Sequence, residues 1–243
     1  MLTRSDVLVV VPALNEERSI GVVLEKLHSL SFDVLVVSDG STDDTARIAR
    51  QGGAMVLELP YNMGVGGALR AGFQVAVAKG FGAVVQVDAD GQHPIDSIDR
   101  LIEETNTSGA HLVIGSRFRS DDTTMDVANT RRLVMRLLAW SASRATGTSI
   151  TDASSGFRLI REPLLRQFSS SFSANYLGDT YEALISAGRA GYVVREIPAA
   201  MRERAIGVSS ASVRQSVQFT MKGLAVALLR LHARVEPHHA SKI

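Results

Sequence analysis

The chain contains no cysteine, only 6 prolines and 5% aromatic residues among its 243 residues. The absence of cysteine excludes a disulfide framework, a thiolate zinc site and a cysteine nucleophile. The 26 lysines and arginines nearly balance 25 acidic residues, so we expect no nucleic acid as a partner. No apolar run approaches the roughly 20 residues that a membrane span needs. These absences predict a cytoplasmic protein that does not cross the bilayer by itself.

The sequence alternates regularly between strand-like and helix-like segments. Continuous apolar runs begin at Val7 and Val34, and apolar residues at helical spacing follow each of them. Alternation of this kind predicts a parallel, twisted sheet with helices on both faces. We expect Asn15 to be the N-cap of the first helix. Ser41 is the expected N-cap of the second, with Asp44 completing a capping box.

The character of the sequence changes after the fifth apolar run. The stretch 119–132 is polar and without periodicity, which predicts a surface loop. Further helices and a strand follow, and a basic helix with one apolar face is predicted over 211–234. We therefore divide the chain into a domain at 1–210 and a C-terminal helix and tail at 211–243. Three alternatives stay open for what the apolar face of this helix contacts: a membrane surface, the domain itself, or another subunit in a homodimer.

Two aspartates follow the fourth apolar run, in the stretch VDADGQHP. Open α/β sheets bind ligands beyond the carboxyl ends of their strands, and Asp88 and Asp90 are predicted to lie there. The two-residue period of a strand would point both carboxylates the same way. Their mutual repulsion then favours a divalent cation such as Mg²⁺ or Mn²⁺, to which Gln92 adds an amide oxygen. The alternative is that the two aspartates cap the next helix at a turn.

Other polar groups are predicted at the same edge of the sheet. Glu16 follows the first strand, and Asp39 ends the second, where its carboxylate can accept hydrogen bonds from a base or a ribose. The alternative for Asp39 is an Asx turn. A glycine-rich loop starting at Gly64 opens a helix and either approaches phosphate or sugar, or serves turn chemistry alone. Leu69 stands where a dinucleotide fingerprint needs its third glycine, which disfavours an oxidoreductase.

Seven motifs occur in an order that resembles a known family. VVPALNEE, VVSDGSTDDT, NMGVGGALRAG, DADGQHP, GSRF, SSGFR and RAIGVSS are similar to family 2 glycosyltransferases with the GT-A fold. The strongest resemblance, over about residues 5–210, is to dolichyl- or polyprenyl-phosphate mannose synthases and polyprenyl-phosphate glucosyltransferases. It implies a mostly parallel, Rossmann-like sheet with helices on both faces. It also implies metal-dependent, inverting transfer of mannose or glucose from a GDP- or UDP-hexose to a polyprenyl phosphate.

The resemblance also implies roles for individual residues. The residues expected at the nucleotide sugar are Pro12, Leu14, Glu16, Asp39, Gly64, Asp88, Ala89 and Arg204. The expected metal ligands are Asp88, Asp90 and Gln92. The arginines expected at the acceptor phosphate are Arg117, Arg131 and Arg132. Asp90 and Arg117 are the residues expected to carry catalysis.

The acceptor determines whether a base is required. A lipid monophosphate, whose second pKa is about 6, is already an anionic nucleophile near neutral pH and needs only cations to hold it. A sugar hydroxyl of a glycan, glycolipid or metabolite needs a carboxylate base, for which Asp179 and Glu182 are candidates. A nucleotide-binding module without turnover is a third interpretation, because Ser38 and Ser210 depart from the family's pattern. A lipid acceptor would place the protein at the cytoplasmic membrane face, attached peripherally or through a membrane partner.

Overall fold

The computed structural model describes residues 1–118, 129–172 and 179–201; of residues 129–134 and 179 it describes the backbone only. The described strands are β1 (Val7–Ala13), β2 (Asp33–Asp39), β3 (Met55–Leu59), β4 (Ala83–Gln86), β5 (Leu112–Ser116), β6 (Arg158–Arg161) and β7 (Val194–Pro198). The described α-helices are α1 (Ile20–Ser29), α2 (Thr45–Gln51), α3 (Val65–Lys79), α4 (Ile98–Ser108), α5 (Asn129–Thr146), α6 (Leu164–Ser171) and α7 (Asp179–Arg189).

The seven strands form one sheet in the order β3-β2-β1-β4-β6-β5-β7. All neighbouring strands are parallel except at β6, which runs antiparallel to both β4 and β5. The prediction of a mostly parallel sheet is confirmed. The reversed strand was not predicted, because its sequence, RLIR, has only two apolar residues between two arginines and carries no signal of direction.

The sheet is buried on both faces, which explains the continuous apolar runs in its strands. In β1, Val7 and Val9 contribute to one core and Leu8 and Val10 to the other. The helices α1 and α4 cover the first core, and α3, α5, α6 and α7 cover the second. The predicted placement of helices on both faces is therefore confirmed.

The two predicted helix caps are wrong. α1 begins only at Ile20, and α2 begins after Asp44. Asn15 instead adopts a positive φ of 55° and accepts a hydrogen bond at its Oδ1 from the Thr42 amide, 2.8 Å away. Ser41 Oγ accepts from the Asn15 amide at 3.1 Å. Both side chains therefore join the loops after β1 and β2, because each loop offers the other an amide within reach.

The second half of the chain departs from the prediction at one further point. α5 begins at Asn129, inside the stretch 119–132 that was predicted as a loop, and the rest of that stretch, 119–128, lies outside the described residues. The helix predicted over 211–234 lies outside them as well. Among the helices that the structure describes, none is both long enough and apolar enough to cross a membrane.

Candidate active site

One edge of the sheet gathers the groups that the sequence singled out. β1, β2, β4 and β5 are parallel and end at this edge, whereas the antiparallel β6 begins there. The segment 152–157, which precedes β6, is therefore brought to the same edge. Four strand spacings separate β2 from β5, or about 19 Å at roughly 4.8 Å per spacing. The edge is long enough for an extended ligand, with β4 near its middle.

At one end of this edge, Asp39 anchors the glycine-rich loop. Asp39 is the last residue of β2 and only 4% exposed, and its Oδ1 accepts a hydrogen bond from the Met63 amide at 2.7 Å. Gly40 has a φ of 71°, and a Cβ there would lie 2.6 Å from the Asn62 amide nitrogen. Gly64, at the N-terminus of α3, donates its amide to Asn62 Oδ1 at 2.8 Å. The Asp39 carboxylate thus ties the end of β2 to the loop that leads into α3.

The charge of Asp39 gives a pH-dependent prediction. Burial raises the pKa of the Asp39 carboxyl, and hydrogen bonds from the Met63 and Gly64 amides offset this in part. A raised folded-state pKa favours the folded state below the unfolded pKa of about 3.9, and this contribution is lost as pH rises through the folded-state pKa. Asp39→Asn removes the charge and keeps an oxygen acceptor. We expect the free energy of unfolding of the variant to increase, relative to that of the wild type, as pH rises above the unfolded-state pKa of about 3.9.

Urea unfolding at several pH values measures this difference. Asp33→Asn is the control, since Asp33 lies exposed at the opposite end of the same strand. A difference between Asp39→Asn and wild type that stays constant with pH would contradict the prediction.

Three more predicted residues lie at or just after the end of β1: Pro12 is the second-last residue of the strand, and Leu14 and Glu16 follow it. Pro12 is half-buried, and the Leu14 side chain is 39% exposed. The Glu16 amide donates to Thr45 Oγ1 at 2.8 Å, and the Glu16 carboxylate accepts a hydrogen bond from Ser19 Oγ at 2.6 Å. Glu16 therefore supports the start of α1. Leu14 offers an exposed apolar surface at the edge.

The two central aspartates lie in a turn and not in a strand. β4 ends at Gln86, so the prediction that the strand period aligns Asp88 with Asp90 is wrong. The turn is held in another way: Asp90 Oδ1 accepts the Gln92 amide at 3.0 Å, and Ala89 is buried between the aspartates at 3% exposure. Because Ala89 points into the core, the flanking residues remain at the surface, and both aspartates are half-buried.

His93 holds Asp88 at two atoms. Its Nδ1 accepts a hydrogen bond from the Asp88 amide at 2.9 Å, and its Nε2 lies 3.3 Å from Asp88 Oδ2. A ring nitrogen that accepts carries no proton, so the neutral ring bears its proton on Nε2, facing the carboxylate. The ring is 6% exposed and packs 5.3 Å from the Phe157 ring. A Cβ at Gly156 would lie 3.3 Å from Asp88 Oδ2, so the backbone before β6 also lies close to this oxygen.

Toward β5, an arginine is clamped by a buried aspartate. Arg117 donates from Nε to Asp152 Oδ2 at 2.7 Å and from Nη2 to Asp152 Oδ1 at 2.9 Å, and Nη2 also reaches Ser154 Oγ at 2.8 Å. Asp152 is fully buried, whereas the Arg117 side chain is 31% exposed. Burial by itself raises the pKa of Asp152 and lowers that of Arg117. The bidentate pair reverses both effects, leaving the pKa of Asp152 below and that of Arg117 above its ordinary value.

A second buried carboxylate holds the segment that carries Asp152. Glu196 of β7 is 5% exposed and accepts the backbone amides of Thr151, at 2.9 and 3.0 Å, and of Asp152, at 2.8 Å. The Thr151 hydroxyl adds a hydrogen bond of 2.9 Å to the same carboxylate. Strand β7, at one end of the sheet, thus fixes the loop, and the loop fixes Arg117. Sequence reasoning missed Glu196 and Asp152, and the only signal was an acidic residue within the strand VREIP.

The same loop is tied to α7 by a buried arginine. Arg158, the first residue of β6, is 1% exposed and donates from Nε to the Ser155 carbonyl at 3.2 Å. Its Nη1 donates to the Thr180 carbonyl at 3.1 Å. The arginine of the SSGFR motif therefore has a structural position inside the fold.

Some predicted residues have no described side chain. Arg204 lies outside the described residues, and the side chains of Arg131, Arg132 and Asp179 are not described, so their roles remain predictions. Glu182 is half-buried on α7.

Comparison with known proteins identifies the family. The model of the family "Glycosyl transferase family 2" matches residues 8–168. The chain belongs to this family. The predictions of a nucleotide-sugar-dependent glycosyltransferase and of the GT-A fold are confirmed.

Two relatives extend over most of this family 2 glycosyltransferase. An undecaprenyl-phosphate mannosyltransferase of Micrococcus luteus is 31% identical over an alignment of 245 positions. The alignment covers 94% of this chain and 98% of the relative. A dolichyl-phosphate hexose transferase of Haloferax volcanii is 32% identical over 205 residues, 84% of this chain and 86% of the relative.

A solved structure matches the fold. The glucosyl-3-phosphoglycerate synthase of Mycobacterium tuberculosis, in complex with Mn²⁺, UDP and glucosyl-3-phosphoglycerate, has a TM-score of 0.66 and 25% identity. The match covers 92% of this chain and 79% of the synthase. A second complex of the same synthase contains Mg²⁺ and UDP, with a TM-score of 0.65, 26% identity and coverage of 92% and 78%.

Proposed function

We propose that this glycosyltransferase transfers a hexose from a GDP- or UDP-sugar to a polyprenyl phosphate, with a divalent metal ion and with inversion at the anomeric carbon. The observation that carries the acceptor class is the relation to the Micrococcus luteus undecaprenyl-phosphate mannosyltransferase, which extends over nearly the whole of both chains. The Haloferax volcanii relative is also named for a lipid phosphate acceptor.

The chemistry around Arg117 supports an acceptor that is already an anion. Asp152 is the carboxylate in contact with Arg117, and it is fully buried, with a pKa held below its ordinary value. Such a carboxylate is a poor base for a hydroxyl group. A phosphate ester needs no base near neutral pH, but it must be held against repulsion from the donor diphosphate. The partly exposed Arg117 guanidinium supplies a cation for that purpose.

The turn after β4 fits a divalent ion. Within the described part of the chain, no three His, Asp or Glu side chains converge in a way that would hold a metal. The turn itself offers two carboxylates, those of Asp88 and Asp90, and the amide oxygen of Gln92, and these are the ligands that we propose. Mg²⁺ and Mn²⁺ sites of this kind take one or two carboxylates and complete their shell with water and phosphate oxygens. A bound ion would neutralise the charge that grows on the diphosphate leaving group.

His93 gives a prediction for this site. Residues that orient a metal-binding carboxylate typically change metal affinity by about 10–100-fold when replaced. His93→Asn keeps an acceptor for the Asp88 amide and loses the contact with Asp88 Oδ2. We expect its affinity for Mn²⁺ to fall by about tenfold or more. The affinity is measured by titration in the presence of nucleoside diphosphate, with free Mn²⁺ followed by electron paramagnetic resonance.

The matched control is His28→Asn, because His28 lies near the C-terminus of α1, away from the turn. An unchanged Mn²⁺ affinity in His93→Asn, in a protein that unfolds at the wild-type temperature, would contradict the orienting role.

The proposed function is tested with radiolabelled GDP-mannose and UDP-glucose, each with polyprenyl phosphate and with Mn²⁺, Mg²⁺ or EDTA. We expect one donor to give a labelled lipid that partitions into organic solvent, and EDTA to abolish it. Nuclear magnetic resonance of the product should show the anomeric configuration opposite to that of the donor. Transfer to a water-soluble acceptor alone would overturn the proposal.

A second candidate is transfer to a hydroxyl group of a phosphorylated small acid. Its support is the fold match with the synthase whose complexes contain glucosyl-3-phosphoglycerate. This reaction needs a base, so Glu182→Gln or Asp179→Asn would lower kcat strongly. With a phosphate acceptor, neither carboxylate serves as a base.

A further inference from the structure

The helix α5 carries a concentrated positive charge. Its 18 residues, NTRRLVMRLLAWSASRAT, include four arginines and no acidic residue, whereas the whole chain has a net charge of only +1. A helix with this charge is attracted to a surface that carries many negative charges.

The exposed side of α5 combines this charge with an aromatic anchor. Trp140 is 65% exposed, and Arg136 and Arg144 lie one turn to either side of it, both exposed. Leu137, 39% exposed, lies on the same side. At about 100° per residue these four side chains fall within about 100° of the helix circumference. Neither Arg136 nor Arg144 forms an ion pair with a described residue.

The opposite side of α5 is already occupied by the fold. Leu138 and Ala142 are buried in the core, and Ser141 Oγ lies 2.6 Å from the Tyr181 hydroxyl on α7. Packing against α7 therefore fixes which side of α5 faces outward. Rotating α5 to bury Trp140 would therefore bring the buried residues of the helix to the surface.

We infer that this surface of α5, formed by Arg136, Leu137, Trp140 and Arg144, binds the headgroup region of an anionic lipid bilayer. Tryptophan favours the membrane–water interface, because its ring is apolar and its N–H is polar. Arginines near the surface of an anionic leaflet each add roughly fivefold to binding. The charge of the surface complements anionic headgroups. The inference does not depend on the acceptor, since a bilayer without polyprenyl phosphate offers the same headgroups.

Trp140 is the only tryptophan in the chain, so its fluorescence reports on this surface alone. The full-length protein is mixed with vesicles of phosphatidylcholine, with or without phosphatidylglycerol, and without polyprenyl phosphate. With anionic vesicles we expect the emission to shift to shorter wavelength and to be protected from iodide. Raising the salt concentration should reverse both effects. Pure phosphatidylcholine vesicles should give neither.

Variants measured by vesicle sedimentation complete the test. We expect Arg136→Gln and Arg144→Gln each to weaken binding about fivefold, and Trp140→Ala to weaken it further. Arg100→Gln, which removes the same charge from the exposed side of α4, should leave it unchanged. Tyr61→Ala is the aromatic control, because Tyr61 is also 65% exposed.

Three results would overturn the inference. The first is emission that is already shifted and protected in the free protein, because the tryptophan would then be covered by the chain itself or by a second copy. The second is equal binding to neutral and anionic vesicles. The third is sedimentation with anionic vesicles that the α5 variants do not change. None of these results bears on the transfer reaction, which is measured separately with the acceptor in detergent.

Discussion

Replacing Asp88 or Asp90 by asparagine should lower kcat/KM by about 10²–10³-fold. The reason is that roughly 3 to 4 kcal/mol of transition-state stabilisation depends on groups that meet the developing diphosphate charge, and each 1.36 kcal/mol is a factor of ten. Stability should change little, because the Asp88 side chain is 41% exposed and asparagine can still accept a hydrogen bond from His93. Steady-state kinetics and thermal unfolding on the same samples separate the two effects.

The control for both variants is Asp96→Asn. Asp96 is an exposed acidic residue in the turn that follows the site, and its Oδ2 lies 3.7 Å from Lys26 Nζ. Its replacement makes the same change in charge and should leave kcat/KM near the wild-type value. If Asp88→Asn and Asp90→Asn bind Mn²⁺ and nucleotide as the wild type does, the turn after β4 is not the metal site.

Arg117→Met should destabilise the fold by about 3–5 kcal/mol, apart from any loss of activity. The cause is Asp152, which is fully buried and would be left as an uncompensated carboxylate. The reverse change, Asp152→Leu, should cost less, because the Arg117 side chain is 31% exposed and can turn toward water. The double variant Arg117→Met with Asp152→Leu should regain most of the stability, since a buried ion pair is often replaced by apolar side chains at little cost.

The pH dependence of stability is an independent test of the ion pair between Arg117 and Asp152. Since the folded-state pKa of Asp152 is lowered, the pair contributes stability above the unfolded pKa of about 3.9, and that stability is lost as pH falls through the folded-state pKa. The deficit of Arg117→Met, measured by urea unfolding, should therefore shrink toward acidic pH. The double variant should stay inactive with either acceptor, because the guanidinium is missing.

The surface pair between Arg4 and Asp99 is a matched control. Its geometry is also bidentate, with distances of 2.8 and 2.6 Å, but both side chains are more than 40% exposed. Arg4→Met should therefore have a much smaller effect on stability, because water and salt screen the pair. Equal losses from Arg4→Met and Arg117→Met would mean that the burial of Asp152 has no special consequence.

The sequence was sufficient to predict where ligand groups gather, because that prediction depends on local patterns and one topological rule. Apolar runs located β1, β2 and β4. Parallel strands end at one edge, which placed Asp39 and Asp88 there, whereas Arg117 was expected only from the resemblance to the family. The period argument for Asp88 and Asp90 failed, because β4 ends at Gln86 and a turn, not a strand, sets their directions.

The residues that contact these groups could not be predicted from the sequence, because the contacts depend on the order of the strands in the sheet. Asp152 is 35 residues from Arg117, and Glu196 is 44 residues from Asp152. Both contacts form because β6 enters the sheet reversed, between β4 and β5. His93 is close to Asp88 in sequence, but a histidine five residues after an aspartate is not a recognisable pattern. Only the turn geometry shows that both of its ring nitrogens face Asp88.

β6 is synthesised well after β4, and this delay affects the newly synthesised chain. β4 pairs with β1 on one side and with β6 on the other, and more than seventy residues separate β4 from β6 along the chain. Until residues 158–161 leave the ribosome, the apolar strand AVVQ has one unpaired edge. Unpaired apolar edges join readily to other chains. We therefore expect a product truncated anywhere between β4 and β6 to aggregate, and the strand that closes this edge is also the one that brings the segment 152–157 to the candidate active site.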